Sequence, residues 1–196
     1  MNSIEKELKL LSEQLAKLQK EGQLEGYSLI GALALAAHAR PRATQDIDFL
    51  VSADKDFFFK VLPETLKKKG YKLKVFKGAL DDPINGLIRI YDQNNESEIA
   101  DIIPVFWKWQ DEIVKQAERI ELFNVSIPVA RVEDLIVLKL KAGGPQDMLD
   151  VEELLNTAKI TKKIDLGRLR VLSERAKVSK KLNQVAAKLN FSLKYF

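Results

Sequence analysis

The run Arg42-Ala43-Thr44-Gln45-Asp46-Ile47-Asp48 passes directly into Phe49-Leu50-Val51, so two carboxylates stand one residue apart in a segment that otherwise reads as a buried strand. Side chains alternate faces along a strand, which puts Asp46 and Asp48 on one side with Ile47 turned into the core between them. Two anions that close repel, and placing them at the edge of a core is unfavourable unless a cation compensates. Hard carboxylate oxygens suit Mg²⁺ or Mn²⁺ better than zinc.

The flanking segments fit a metal and phosphate site. Tyr27-Ser28-Leu29-Ile30 reads as a short apolar strand running into Gly31-Ala32, after which Leu33 to Arg40 is rich in Ala and Leu and reads as a helix. A Gly-small turn lets backbone approach a ligand closely, and free N–H groups at a helix start can receive phosphate oxygens. The helix ends near Pro41 and the Asp46/Asp48 strand returns beside the first. A third carboxylate follows: Leu87 to Tyr91 and Ser97 to Ile103 read as two arms of a hairpin, with Asp101 inside the apolar stretch of the second. A charge in a buried strand needs a partner, and two carboxylates plus a metal would supply one.

Gly31-Ala32, the Arg42-x-Thr44-x-Asp46-x-Asp48 run and Asp101 resemble the nucleotidyltransferase superfamily of the polymerase beta type. The phrase from Leu29 to Val51 is similar, more narrowly, to prokaryotic AbiE-type toxin and minimal nucleotidyltransferase families. The likeness continues through Arg131 to Lys139 and Gln146-Asp147-Met148-Leu149-Asp150, spanning roughly residues 27 to 155. It implies transfer of a nucleoside monophosphate from an NTP to an acceptor hydroxyl, an RNA end (tRNA included) or a protein, with an antitoxin as a further partner. Under it Asp46 and Asp48 hold Mg²⁺, while Asp101 shares a second metal and helps deprotonate the hydroxyl. Lys139 offsets phosphate charge. Gly31 and Ala32 meet the phosphates through backbone, and Arg42 and Thr44 shape the phosphate pocket or brace the metal strand.

The chain departs from that pattern at three places. Ala32 stands where relatives carry Gly or Ser, so a hydroxyl contact to phosphate is lost. Gln146 replaces a basic residue, and Gly143-Gly144-Pro145 interrupts a stretch that often carries Arg. Those departures motivate an alternative, a nucleotide- or RNA-binding module on the same fold with weak or no turnover. A nucleotide-sugar glycosyltransferase using Asp46-x-Asp48 is a third reading, for which the chain is short. Each residue also has a plainer reading: Lys139 as a surface lysine, Asp147 and Asp150 as an acidic first helical turn, and Asp81-Asp82-Pro83 as turn chemistry. His38, the only histidine, reads as a partly buried helix residue or one lining the pocket.

Composition bounds the class. With 46% hydrophobic residues in 196, the chain can bury one sizeable core, and no cysteine is present. No apolar run approaches membrane-spanning length and the N-terminus is charged, so a cytoplasmic protein is expected. From Lys162 to Phe196 ten Lys or Arg face only Asp165 and Glu174, a balance of +8 that leaves −4 for the rest of a chain totalling +4. That basic, helical tail is a candidate RNA-binding face, as is the Lys67-Lys68-Lys69, Lys72, Lys74, Lys77 stretch. Ile4, Leu8, Leu11, Leu15 and Leu18 mark an amphipathic helix that packs on the core or pairs with a second copy, giving a homodimer.

The expected fold is α/β, a short mixed sheet flanked by helices. It divides into an N-terminal helix (1–24), a nucleotidyltransferase-like core (25–160) and the tail (161–196). Strands are expected at 27–30, 46–51, 71–76, 86–91, 97–103 and 125–129. Helices are expected at 3–21, 32–40, 54–69, 108–117, 132–142 and 146–158, with two more in the tail.

Overall fold

The computed structural model describes residues 3–41, 44, 46–78, 86–92 and 97–193. Arg42 and the Asp81-Asp82-Pro83 turn lie outside the described residues. Helix α1 (Ser3–Lys20) precedes β1 (Gly26–Ile30), α2 (Gly31–Ala36) and β2 (Ile47–Ser52). A π-helical turn, Phe57–Val61, enters α3 (Leu62–Lys68), and β3 (Lys72–Lys77), β4 (Gly86–Tyr91) and β5 (Glu98–Pro104) follow. The remainder is α4 (Lys108–Lys115), β6 (Glu118–Leu122), β7 (Val125–Val129), α5 (Val132–Ala142), α6 (Pro145–Thr161), α7 (Leu166–Arg175) and α8 (Ser179–Lys188).

Among the described residues the strands form one mixed seven-stranded sheet, ordered β3-β4-β5-β2-β1-β7-β6. β1 and β2 are antiparallel, but β2 runs parallel to β5 and β1 parallel to β7. The α/β expectation therefore holds. One strand, β6, went unanticipated. Its Glu-Arg-Ile-Glu-Leu sequence carries three charges, and its hairpin to β7 turns on Phe123 and Asn124, both at positive φ (51° and 61°). Two positive-φ residues make a tight hairpin turn of the kind Asn-Gly usually announces, so the sequence signal was missing although the geometry is ordinary. Helix α2 is also shorter than expected, ending at Ala36 rather than residue 40.

The leucine seam of α1 goes into the protein's own core. Leu8, Leu11 and Leu15 are fully buried and Ser12 bonds the Tyr27 hydroxyl of β1, which leaves that seam no surface for a second copy. The tail docks likewise. Arg168 donates to Asp134 at 2.6 Å and to Gln116 at 2.7 Å; Arg175 pairs with Glu112, Lys188 with Glu152, and the Lys181 ammonium reaches the Leu140 carbonyl. The charge asymmetry between tail and body is thus partly complementarity inside one molecule. Among the described residues no helix is long and apolar enough to cross a membrane.

Candidate active site

The sheet register aligns the charged residues. Lys74 of β3 pairs with Arg89 of β4, Arg89 with Asp101 of β5, Asp101 with Asp48 of β2, and Asp48 with Ile30 of β1. Residues directly paired across neighbouring strands project to one face, so this row reads cation, cation, anion, anion across four strands. Asp46 lies two residues before Asp48, just ahead of β2, and is exposed. Thr44 sits beside it: its hydroxyl accepts from the Asp46 N–H at 3.4 Å, a local side-chain turn that braces the entry to the strand.

Gly31 is needed twice over. Its φ is +70°, a region L side chains rarely adopt, and a Cβ there would lie 1.9 Å from Asp48 Oδ2. The absent side chain is what lets the Asp48 carboxylate seat against the backbone at the start of α2. Ala32, by contrast, is buried in the core and offers a ligand no side chain.

Asp101 is engaged. Its two oxygens accept from Arg89 Nε at 2.9 Å and Nη2 at 2.8 Å, and Arg89 also bridges to Glu98 at 2.7 Å. The hydrogen bond to Asp101 chiefly holds the guanidinium pKa above its ordinary value, against a smaller opposing effect of burial. Arg89 is the residue the sequence reading passed over, although a charge at one position of the apolar alternation Leu87 to Tyr91 is the same signal that singled out Asp101.

Lys139 reaches the site from α5, half-buried rather than on the surface, and its charge is already compensated. Its ammonium lies 2.9 Å from both Asp147 and Asp150 of α6, and the Asp150 side chain is only 3% exposed. Burial opposes the lysine charge, but the hydrogen bonds it donates to Asp150 and Asp147 outweigh that effect and the pKa rises. Asp147 also accepts from Gly144 N, capping α6. Between this cluster and Asp48 opens a cavity of about 320 Å³ whose other walls include Gly31, Phe106, Trp107 and Leu138. The aromatic wall is fixed because the Gln110 side-chain oxygen accepts from the N–H groups of both Phe106 and Trp107. His38 stands apart from this cavity. Its Nε2 lies 2.8 Å from the Ala130 carbonyl, tying the chain after α2 to the end of β7.

The donor set tests whether a divalent cation belongs here. Asp46 and Asp48 offer hard oxygens from one short stretch, and the space left by Gly31 seats one of them, which fits Mg²⁺ or Mn²⁺. Among the described residues no three carboxylates or imidazoles gather into a ready-made metal cage, and Asp101 faces Arg89. The fit is therefore to a two-carboxylate site with Asp101 beside it.

Comparison with known proteins gives this arrangement a context. The chain is similar to the solution structure of the antibiotic-resistance factor ANT(2'')-Ia, with a TM-score of 0.51, 15% identity and 96% of this chain and 100% of that one covered. It resembles a crystal structure of the same factor with adenylyl-2''-tobramycin (TM-score 0.50, 17% identity, 88% and 97% covered). A third likeness is to an antigenic nucleotidyltransferase-like protein from Paracoccidioides brasiliensis (TM-score 0.55, 11% identity, 98% and 94% covered). At these identities the shared property is the fold. No curated protein matches. Residues 6–196 match the family described as "Nucleotidyltransferase of unknown function (DUF6036)", and the chain that seats Asp48 against Gly31 belongs to that family.

Proposed function

We propose that the protein is a metal-dependent nucleotidyltransferase that moves a nucleoside monophosphate from an NTP to an acceptor hydroxyl, an RNA end or a protein. The observation that carries the reading is Asp48, seated against Gly31 and paired in register with Asp101, at the mouth of an aromatic-walled cavity. In the reaction the acceptor oxygen bonds the α-phosphorus, the bond from that phosphorus to the bridging oxygen breaks, and pyrophosphate leaves with the electron pair. Positioning and charge do most of such work.

The chain's own residues divide the tasks. Asp46 and Asp48 would hold Mg²⁺ or Mn²⁺, which when bound supplies charge neutralisation of the triphosphate. Gly31 and Ala32 admit phosphate to the backbone; α2 has only six residues, so close approach matters more here than helix polarity. Thr44 braces the Asp46 turn and Arg42 is assigned to the phosphates. Each Asp101 oxygen keeps a second lone pair after bonding Arg89, enough to receive the hydroxyl proton or share a cation. Phe106 and Trp107 give the base an apolar wall, and Lys139 answers phosphate charge only by loosening its hold on Asp147. The biological setting supported by the sequence likeness is the toxin half of a toxin–antitoxin pair.

A second reading, nucleotide binding without turnover, is favoured by one specific observation: among the described residues, Arg89 and Lys139 are each committed to neighbouring acids. Incubation with each NTP labelled at the α-phosphate, Mg²⁺ and total tRNA or lysate decides between them, comparing wild type with Asp46→Ala/Asp48→Ala. Label moved by wild type alone supports transfer and identifies the acceptor. No label, with melting still raised by NTP and Mg²⁺, makes the binding module the better account.

A further inference from the structure

The charged row continues beyond the carboxylates onto a sheet face that the transfer reading leaves without a task. On β3, Lys72, Lys74 and Phe76 alternate with Leu73 and Val75; their cross-strand partners on β4 are Tyr91, Arg89 and Leu87. The opposite face of β4 and β5 is core, with Ile88, Ile90 and Ile102 fully buried. This face is open: Lys72, Lys74 and Phe76 are exposed, Phe76 at 44%, and Leu87, Arg89 and Tyr91 are half-buried. Cations and rings are interleaved on it, with the Lys74 ammonium 5.0 Å from the Tyr91 ring centre and the Arg89 guanidinium 5.7 Å from that of Phe76.

We propose that this β3–β4 face binds single-stranded nucleic acid and leads its end to Asp48. Resting on the transfer reading for its direction, the inference narrows the acceptor to a nucleic acid strand. Sequence-tolerant strand binding combines cations that follow phosphates with rings on which bases stack, and both are here on one surface. Lysines on an edge strand also guard against sheet-to-sheet association. That role gives no reason to expose a phenylalanine among them. Three strand spacings of about 4.8 Å put Lys74 roughly 14 Å from Asp48 along a single row, so a strand lying across the sheet reaches the carboxylates without a turn. The rings require unstacked bases, which a duplex does not offer.

Fluorescence anisotropy with labelled oligo(U), the matching duplex and poly-glutamate as competitor tests this on the full chain, with NTP plus Mg²⁺ melting shifts measured in parallel. The expected result is single-strand binding that weakens as salt rises, with Phe76→Ala reducing affinity about tenfold and Lys74→Gln lowering the salt slope by about one ion. Phe76→Leu keeps apolar bulk without a ring and should bind weakly, while Phe76→Trp should bind at least as well as wild type; this pair separates stacking from folding. Equal binding of duplex, full displacement by poly-glutamate, or indifference to Phe76→Ala overturns the proposal. Melting shifts without strand binding would sink this inference and leave the transfer reading standing; strand binding without melting shifts would do the reverse.

Discussion

Replacing Gly31 by Ala isolates the contact on which the candidate site rests. The new Cβ would meet Asp48 Oδ2 at 1.9 Å, Cγ at 2.8 Å and Cβ at 2.9 Å. Ordinary contact begins near 3.4 Å, so the carboxylate oxygen must retreat by about 1.5 Å. Rotating the Asp48 side chain cannot cure this, because its Cβ is itself too close and is fixed by the strand. Either β2 or the turn must shift. Holding Ala at φ +70° costs about 1–2 kcal/mol, and overpacking against a strand adds about 1–3 kcal/mol, giving roughly 2–5 kcal/mol in all. Gly22→Ala is the matched control: its φ is +73°, with nothing within 4 Å of a Cβ, so only the backbone cost of about 1–2 kcal/mol applies. Urea denaturation of the two variants reads the difference as a shift in midpoint. The same samples, melted with and without NTP and Mg²⁺, report whether displacing Asp48 removes ligand stabilisation. Equal losses in the two variants, or an undiminished ligand shift in Gly31→Ala, would refute the reasoning.

Further outcomes follow from the buried charges. Burial pushes the Asp134 carboxyl up to about 6, with Arg168 pulling the other way. The folded protein therefore holds that proton more tightly than the unfolded chain, and the stability Asp134 contributes at low pH is lost as pH rises through about 6. Asp134→Asn should flatten that fall, by about 3 kcal/mol at most, in denaturation midpoints taken from pH 4 to 7. Arg168→Met leaves Asp134 buried and unpaired, a loss of about 3–5 kcal/mol, and adding Asp134→Leu should recover most of it. Lys139→Met removes the cation beside buried Asp150 but leaves it the Gln146 amide, so the loss should be smaller than for Arg168→Met. Because the folded lysine pKa is raised, the wild-type contribution should persist through neutral pH and fade only above the ordinary lysine range. Arg89→Leu leaves Asp101 beside Asp48 with no guanidinium between them and Lys74. Mg²⁺ alone should then raise the melting temperature more than in wild type, and chelation should erase the gain.

What the sequence disclosed depended on whether a signal was local. Alternation and a turn-forming glycine located β1, β2, β4 and β5, and the i, i+2 spacing marked Asp46 and Asp48, because strand geometry ties sequence directly to face. The pairing of Asp48 with Asp101 was foreseeable as chemistry but not as register, which depends on strand order across a mixed sheet. Arg89 was missed because its meaning lies on the neighbouring strand. Lys139 was legible as a lysine on an apolar helix, whereas its capture by Asp147 and Asp150 depends on how α6 folds back from Gly143 and Gly144. The tail's positive charge was visible. Its use in gripping Asp134, Glu112 and Glu152 was not, since a net charge says nothing about which partner neutralises it.

The parallel pairing of β2 with β5 also has a bearing on how the chain matures. Asp48 acquires its neighbour only when residues near 101 have been made, and the parallel β1–β7 contact waits for Val129. Closing such distant pairs is slow compared with forming the local hairpins and helices. A growing chain therefore carries its acidic pair for much of synthesis without the strands that assemble it into a site, and the cavity acquires its remaining walls only when α5 and the start of α6 emerge. Any chemistry performed there belongs to the finished molecule alone.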